Sequence, residues 1–314
     1  MKADDLLIPK NDRAYEDFTV SDRLRLYPAM LGAQERVLPA FLAEKAGALE
    51  GTFVELGCYL GGSTVALLEG LAKAEALKNR RRPLVHSYDL FIANDYMVEQ
   101  APKHLKLKAG ESFLQAFLSL LGDDAHYVQV YPGDIRKQRW SGDPIALLYV
   151  DILWGWDINR WVIDQFYRSL RKGSWIIHQD FVFPYYPWLP VSMEWFVRNG
   201  YFSVKSFAEF STVAFRCEKE LDAAACEFDF LLQLTLTEKR QLLQVSAQRF
   251  IGYPKALLEL SECTLLADSG QLAEAIAQVK AIRSNYDDRF GHAATMEETL
   301  IKRQKNAVAA AAAN

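Results

Sequence analysis

A chain of 314 residues, half of them apolar and 24% charged, has ordinary globular composition. It is long enough for one large domain or for one domain with a smaller appendage. A net charge of −4 leaves no overall basic footprint for nucleic acid, and no window reaches the ~18 uninterrupted apolar residues of a membrane span, so neither partner is expected.

The N-terminal stretch through Phe18 is acidic and polar with no long apolar core, and residues 1–20 read as a tail. From Ser21 to Leu49 the apolar residues Leu24, Tyr27, Leu31, Val37, Phe41 and Leu42 recur at near-helical spacing, punctuated by Pro28 and Pro39. Residues 52–64, TFVELGCYLGGST, form an apolar run that closes on Glu55 and turns through Gly57, Gly61 and Gly62 into a helix reaching about Lys78. Glycines let the backbone pass close to a ligand, the helix start offers free N–H groups, and the acidic residue can anchor polar atoms. The run Lys78 to Arg82 is the one local basic candidate; between a helix and a strand it reads as a solvated connection.

A second buried strand, 84–91, carries Asp89, placed to bind ribose hydroxyls one strand after the glycine turn. Residues 92–110 read as an irregular ligand-covering lid, and 111–122 as an amphipathic helix. A third strand (126–132) is followed by Gly133 and Asp134, and a fourth (145–151) ends on Asp151. Asp157 opens a helix that Gly173 ends, the fifth strand spans 174–181, and a helix follows from about Ser192 to Asn199. YFSVKSF and TVAFRC then pair as an antiparallel finish. Alternating strands and helices predict a doubly wound, mostly parallel α/β sheet that binds ligands at the carboxyl ends of its strands.

Beyond Glu220 the pattern is helical and strandless. Residues 254–284 contain two helices joined at Asp268-Ser269-Gly270; one such hairpin cannot bury its own face, so an appendage packed on the main domain or on a second subunit is expected. The terminal AVAAAAAN is helix-prone low complexity. Cys58, Cys217, Cys226 and Cys263 lack C-x-x-C spacing and matched histidines, and read as reduced thiols of a cytoplasmic protein.

The motifs DRLRLYPAML, GTFVELGCYLGGST, HSYDLF, LLYVD and RKGSWIIHQDF, in that order from about Asp22 to Cys217, resemble those of class I S-adenosylmethionine-dependent methyltransferases. The chain looks most like the macrocin O-methyltransferase family of natural-product tailoring enzymes, with catechol O-methyltransferase more distant. The resemblance implies a seven-stranded Rossmann-like sheet over residues 21–220, with 221–314 a helical region, and a possible homo-oligomer. It also implies that Glu55, Gly57, Tyr59, Gly61, Gly62 and Ser63 line the methionine end of the cofactor, that Asp89 holds the ribose, and that Gly133 and Asp134 flank the adenine. Tyr59 stands where the commonest methyltransferase loop has glycine.

Relatives of both kinds hold a divalent cation at the ends of strands four and five, where it acidifies and orients the acceptor hydroxyl. Asp151 matches the first ligand. The second position aligns either as His178-Gln179 or as Gln179-Asp180. Asp151, Asp180 and the Gln179 amide would suit Mg²⁺. Without metal, His178 is the candidate general base, and its alternative is a hydrogen-bonded core histidine. Trp154 and Trp156, directly after strand four, are candidates to contact a small hydroxylated acceptor, a sugar, phenol or natural-product intermediate. Two other readings share the pattern: an NAD-dependent oxidoreductase, which lacks its tighter G-x-G-x-x-G here, and a non-catalytic methyltransferase-like binding protein.

Overall fold

The computed structural model describes residues 10–77, 84–152, 154–208 and 211–312. The basic run Lys78 to Arg82 and the first nine residues of the tail lie outside the described residues. Seven strands, β1 (Thr52–Leu56), β2 (Val85–Asp89), β3 (Val128–Pro132), β4 (Ile145–Val150), β5 (Leu170–His178), β6 (Phe202–Phe207) and β7 (Val213–Cys217), build one sheet in the order β3-β2-β1-β4-β5-β7-β6. The first five pair in parallel, and β7 runs antiparallel between β5 and β6. This is the doubly wound, mostly parallel, Rossmann-like sheet expected from the sequence. β4 is buried at every position, as helices on both faces require.

The two faces divide by side-chain parity. Phe53, Leu147, Tyr149 and Ile177 face a layer made from α1 (Asp22–Leu26), α2 (Ala33–Ala46) and α3 (Gly62–Lys73); α4 (Asp95–Gln100) and α5 (Leu114–Leu121) lie at the β2–β3 end of this side. Val54, Leu56, Leu148, Val150 and Ile176 face α6 (Trp156–Phe166) and α7 (Trp188–Arg198). The chain finishes in α8 (Ala223–Glu227), α9 (Leu236–Ala247), α10 (Gly252–Asp268), α11 (Leu272–Asn285) and α12 (His292–Ala312). Leu258, Cys263 and Leu266 of α10 share one apolar core with Phe181, Trp188 and Phe196, so these helices extend the second face. Ser261 Oγ and Thr264 Oγ1 of α10 donate to the Phe183 and Pro184 carbonyls, at 3.4 and 2.8 Å, and hold the loop after β5.

Several boundaries differ from the sequence expectation for local reasons. Pro39 lies inside α2 rather than interrupting it. α7 begins at Trp188, four residues before the expected start, because Pro190 falls in its first turn, where a missing N–H costs nothing. Gly173 does not end α6. It sits within β5 at φ +98, and the β4 register breaks there between Ile145 and Leu147, with Ser174 Oγ closing the irregularity by donating to the Ile145 carbonyl at 2.6 Å. β5 therefore starts at Leu170 and stops at His178, since Asp180 takes the left-handed conformation at φ +57. The expected irregular lid contains α4, capped by Asn94, and an isolated bridge from Ile92 to Ser112. Among the described residues no helix is long and apolar enough to cross a membrane.

Candidate functional site

The glycine turn between β1 and α3 is built by close approach. Gly57 has φ +86, and a Cβ there would stand 2.5 Å from the Asp151 carbonyl oxygen, so only glycine lets the ends of β1 and β4 meet. A Cβ on Gly62 would stand 2.3 Å from that of Ala29, in the segment joining α1 to α2. That segment packs directly on the turn. Tyr59 holds φ +45, stabilised by its hydroxyl donating to the Met97 carbonyl at 2.7 Å and by edge contact with Phe113.

Asp89 binds the turn itself. Its Oδ2 accepts the backbone N–H groups of Cys58 and Tyr59, both at 3.0 Å, and its Oδ1 accepts that of Phe91 at 2.7 Å. Oδ2 is taken up by the turn, so the ribose contact expected of Asp89 falls to Oδ1, which carries only the Phe91 bond. Burial raises the Asp89 carboxyl above its ordinary range, and the three N–H groups oppose that rise.

Glu55, fully buried, accepts from Thr64 Oγ1 and Ser87 Oγ through Oε2, both at 2.7 Å, and its Oε1 has no partner. Burial pushes its carboxyl up to about 7, against hydrogen bonds from Ser63, Thr64 and Ser87. An orphaned acceptor beside the glycine turn fits a ligand that brings an N–H donor.

At the ends of β4 and β5, Asp151 and Asp180 form a carboxylate pair. Burial, then the charge of Asp180 and of Glu35, Asp89 and Glu55, raises Asp151 well above the ordinary range; Asp180 is raised by burial and held by Ser211 Oγ at 3.0 Å. Gln179 points elsewhere. Its amide nitrogen donates to Glu35 Oε1 at 3.0 Å, and its amide oxygen accepts from Tyr149 and from the Thr212 hydroxyl, whose single proton is shared with Glu35 Oε1, tying α2 to the ends of β4, β5 and β7. The donor set expected for Mg²⁺ therefore does not fit: its amide oxygen is taken, and among the described residues no three His, Cys, Asp or Glu side chains group as ligands.

His178 lies on the opposite face, fully buried between Tyr167, Phe181 and Phe215, with Nε2 2.8 Å from the Tyr167 hydroxyl. Burial lowers its pKa to about 3. Strand parity separates it from Gln179 as expected, but its companion Asp180 has left the strand conformation, so the two do not share a side by parity. His178 is thus a core histidine bonded through Nε2, with its Nδ1 buried and unpartnered.

Trp154 is 62% exposed after β4. Trp156 opens α6, with its ring 6.2 Å from that of Trp188 and the Lys239 ammonium of α9 5.3 Å from its centroid. Tyr186 continues this aromatic wall, 5.3 Å from Trp188. On the far side Gly133 N–H donates to the Asp89 carbonyl at 2.9 Å, while Asp134 caps the following turn and pairs with Arg136. The Asp134 carboxylate is thereby engaged within its own loop.

No family model matches the chain, and no curated protein matches it. Among solved structures it is similar to the O-methyltransferase NovP, at 16% identity and a TM-score of 0.46, over 61% of this chain and 83% of that one. It is also similar to CalS11, a TDP-rhamnose 3′-O-methyltransferase of calicheamicin biosynthesis, at 15% identity and 0.43, over 66% and 91%. A third likeness is to TomG from Streptomyces achromogenes, an O-methyltransferase of tomaymycin synthesis in complex with SAM, at 14% and 0.41, over 66% and 96%. At such identities and scores they transfer no residue role or substrate to this chain.

Sequence reasoning missed Glu35, Thr212 and Tyr149. Glu35 is fully engaged, accepting from Gly32 N–H at 2.9 Å, Thr212 Oγ1 at 2.8 Å and Gln179, and burial pushes it up to about 7. Its signal was present: Gly32 followed by Glu35 at the third helical position is a helix-start pattern.

Proposed function

We propose that this protein is an S-adenosylmethionine-dependent O-methyltransferase acting on a hydroxyl of a small molecule. The observation that carries the reading is the convergence, at the carboxyl ends of adjacent strands, of the glycine turn after β1, Asp89 after β2 and the Asp151–Asp180 pair after β4 and β5. When bound, the cofactor supplies a methyl group activated on a sulfonium. The chain's own residues do the rest. Glu55 Oε1 meets a donor at the amino-acid end, Asp89 Oδ1 meets the ribose, and the surrounding carboxyls favour a cation between them.

Asp151 is the base in this reading. Its raised proton affinity favours taking up the hydroxyl proton as the oxygen attacks the methyl carbon, beside the Asp180 carboxyl. Trp156 and Tyr186, packed on Trp188, and the exposed Trp154 offer ring faces to the acceptor. No step requires His178 or a metal ion. Titration with S-adenosylmethionine and turnover of hydroxylated acceptors test the reading. Asp151→Asn keeps cofactor binding and loses turnover; turnover at the wild-type rate removes Asp151 from the chemistry.

A second reading, a methyltransferase-like protein that binds without catalysis, is favoured by one observation: the segment around Ala29 and Tyr27 is packed directly onto Gly62 and Gly61. Binding of the cofactor with no turnover of any acceptor would select it.

A further inference from the structure

The segment from Tyr27 to Gly32 crosses the glycine turn as a strap, and a single side chain organises it. The Arg36 guanidinium, one turn into α2, donates to the carbonyls of Leu24 (3.1 Å), Tyr27 (2.5 Å), Ala29 (3.4 Å) and Leu31 (3.1 Å). Four carbonyls gathered on one cation fix the path of a chain that has no regular structure of its own between Leu26 and Ala33. Glu35 adds the Gly32 N–H from the same helix start.

The strap delivers the Tyr27 hydroxyl to the turn. This oxygen would lie 3.2 Å from a Cβ on Gly61, is sealed from solvent, and has no hydrogen-bond partner. The Glu55 Oε1 is likewise sealed and unpartnered; burial first, and the Glu55 charge after it, disfavour ionisation of the phenol, and the two groups do not bond to each other. A buried orphan donor and a buried orphan acceptor, both at the glycine turn, each cost stability in the free protein. Together they are the complement of an α-amino acid zwitterion, whose ammonium needs an acceptor and whose carboxylate needs a donor.

We propose that Tyr27, presented by the Arg36-latched strap, donates its hydroxyl to the carboxylate of the cofactor's amino-acid end, opposite Glu55 at its ammonium. The proposal rests on the methyltransferase reading and deepens it. Because both atoms are sealed, the strap must lift for loading and close again, so Arg36 is a positioning residue and Tyr27 a binding one.

Two nucleoside probes separate the possibilities by calorimetry: S-adenosylhomocysteine, which carries the amino-acid end, and 5′-methylthioadenosine, which lacks it. Tyr27→Phe should bind the first about 10-fold more weakly, the loss expected for one hydrogen bond to a charged group, and the second as the wild type does. It should also melt no lower than the wild type without ligand, since an orphan hydroxyl has been removed. Arg36→Met should show the same selective loss together with faster amide hydrogen exchange over residues 24–31. Equal losses for both probes, or none for either, would overturn the role of Tyr27. Wild-type exchange in Arg36→Met would overturn the latch. Failure of the wild-type protein to bind S-adenosylhomocysteine at all would instead strike the methyltransferase reading and take this proposal with it.

Discussion

Among the described residues no donor or cation is recorded against the Asp151 carboxylate, although burial and four acidic neighbours raise its proton affinity. A structural acid in that position would be expected to recruit a partner, as Glu35 has done with three donors. A catalytic base has a different requirement, since it must be free to take a proton. Asp151→Asn removes that capacity while keeping shape, so kcat should fall by roughly 10²- to 10⁴-fold with cofactor affinity nearly unchanged, read by steady-state kinetics beside calorimetry. His178 shows the converse case. Its type suggested a base, but only the fold reveals that the alternation of β5 sends it under α6 and α7, among Tyr167, Phe181 and Phe215.

Elements were legible where periodicity or turn chemistry dominates, and blurred where a tertiary contact sets the boundary. The apolar runs of β1, β2 and β4 and the helix pair α10–α11 follow their sequence patterns. The start of β5 did not, because a glycine that commonly stops a helix serves here as an irregularity inside a strand. The strap was equally hidden: nothing local marks Arg36 as the partner of four carbonyls, since those carbonyls are gathered only when α1 and α2 fold back over the turn. Gly57 by contrast announced itself, and its role can be weighed. Gly57→Ala would combine a left-handed conformation with a carbonyl contact at 2.5 Å, and should cost about 2–5 kcal/mol of stability in denaturant titration. A cost under about 0.5 kcal/mol, as for an ordinary surface change, would show that β1 and β4 can part at that point.

For the whole molecule the cluster Glu35, Glu55, Asp89, Asp151 and Asp180, all raised by burial, sets an unusual pH dependence. Glu35 and Glu55 are pushed up to about 7 from an ordinary 4.5, so the folded state holds their protons more tightly than the unfolded chain does. Their contribution is full below pH 4.5 and is lost as pH rises through 7, on the order of 3 kcal/mol each. His178 acts in the opposite direction: lowered to about 3 from 6.5, it loses stability as pH falls below 6.5, reaching about 4 kcal/mol at pH 3. The free protein should therefore be most stable at about pH 4 to 5, where the one-proton slope of His178 is balanced by those of Glu35 and Glu55 and the raised aspartates pull the same way as the glutamates, and Glu35→Gln should flatten the alkaline limb. Chemical denaturation across pH 4 to 8 reads this directly; a maximum at pH 7 or above would contradict the burial assigned to these acids.

Were the proposed cationic cofactor bound, its positive charge would relieve the repulsion among these carboxylates as they ionise. The most direct measurement is calorimetric titration of the intact chain with S-adenosylmethionine at pH 7.5. The account predicts one site per chain, with a dissociation constant in the range from about 1 μM to 1 mM common for substrates of enzymes in general, and an upward shift of the stability maximum when the site is filled. Absence of binding at millimolar cofactor, or binding of a nicotinamide dinucleotide in its place, would contradict it.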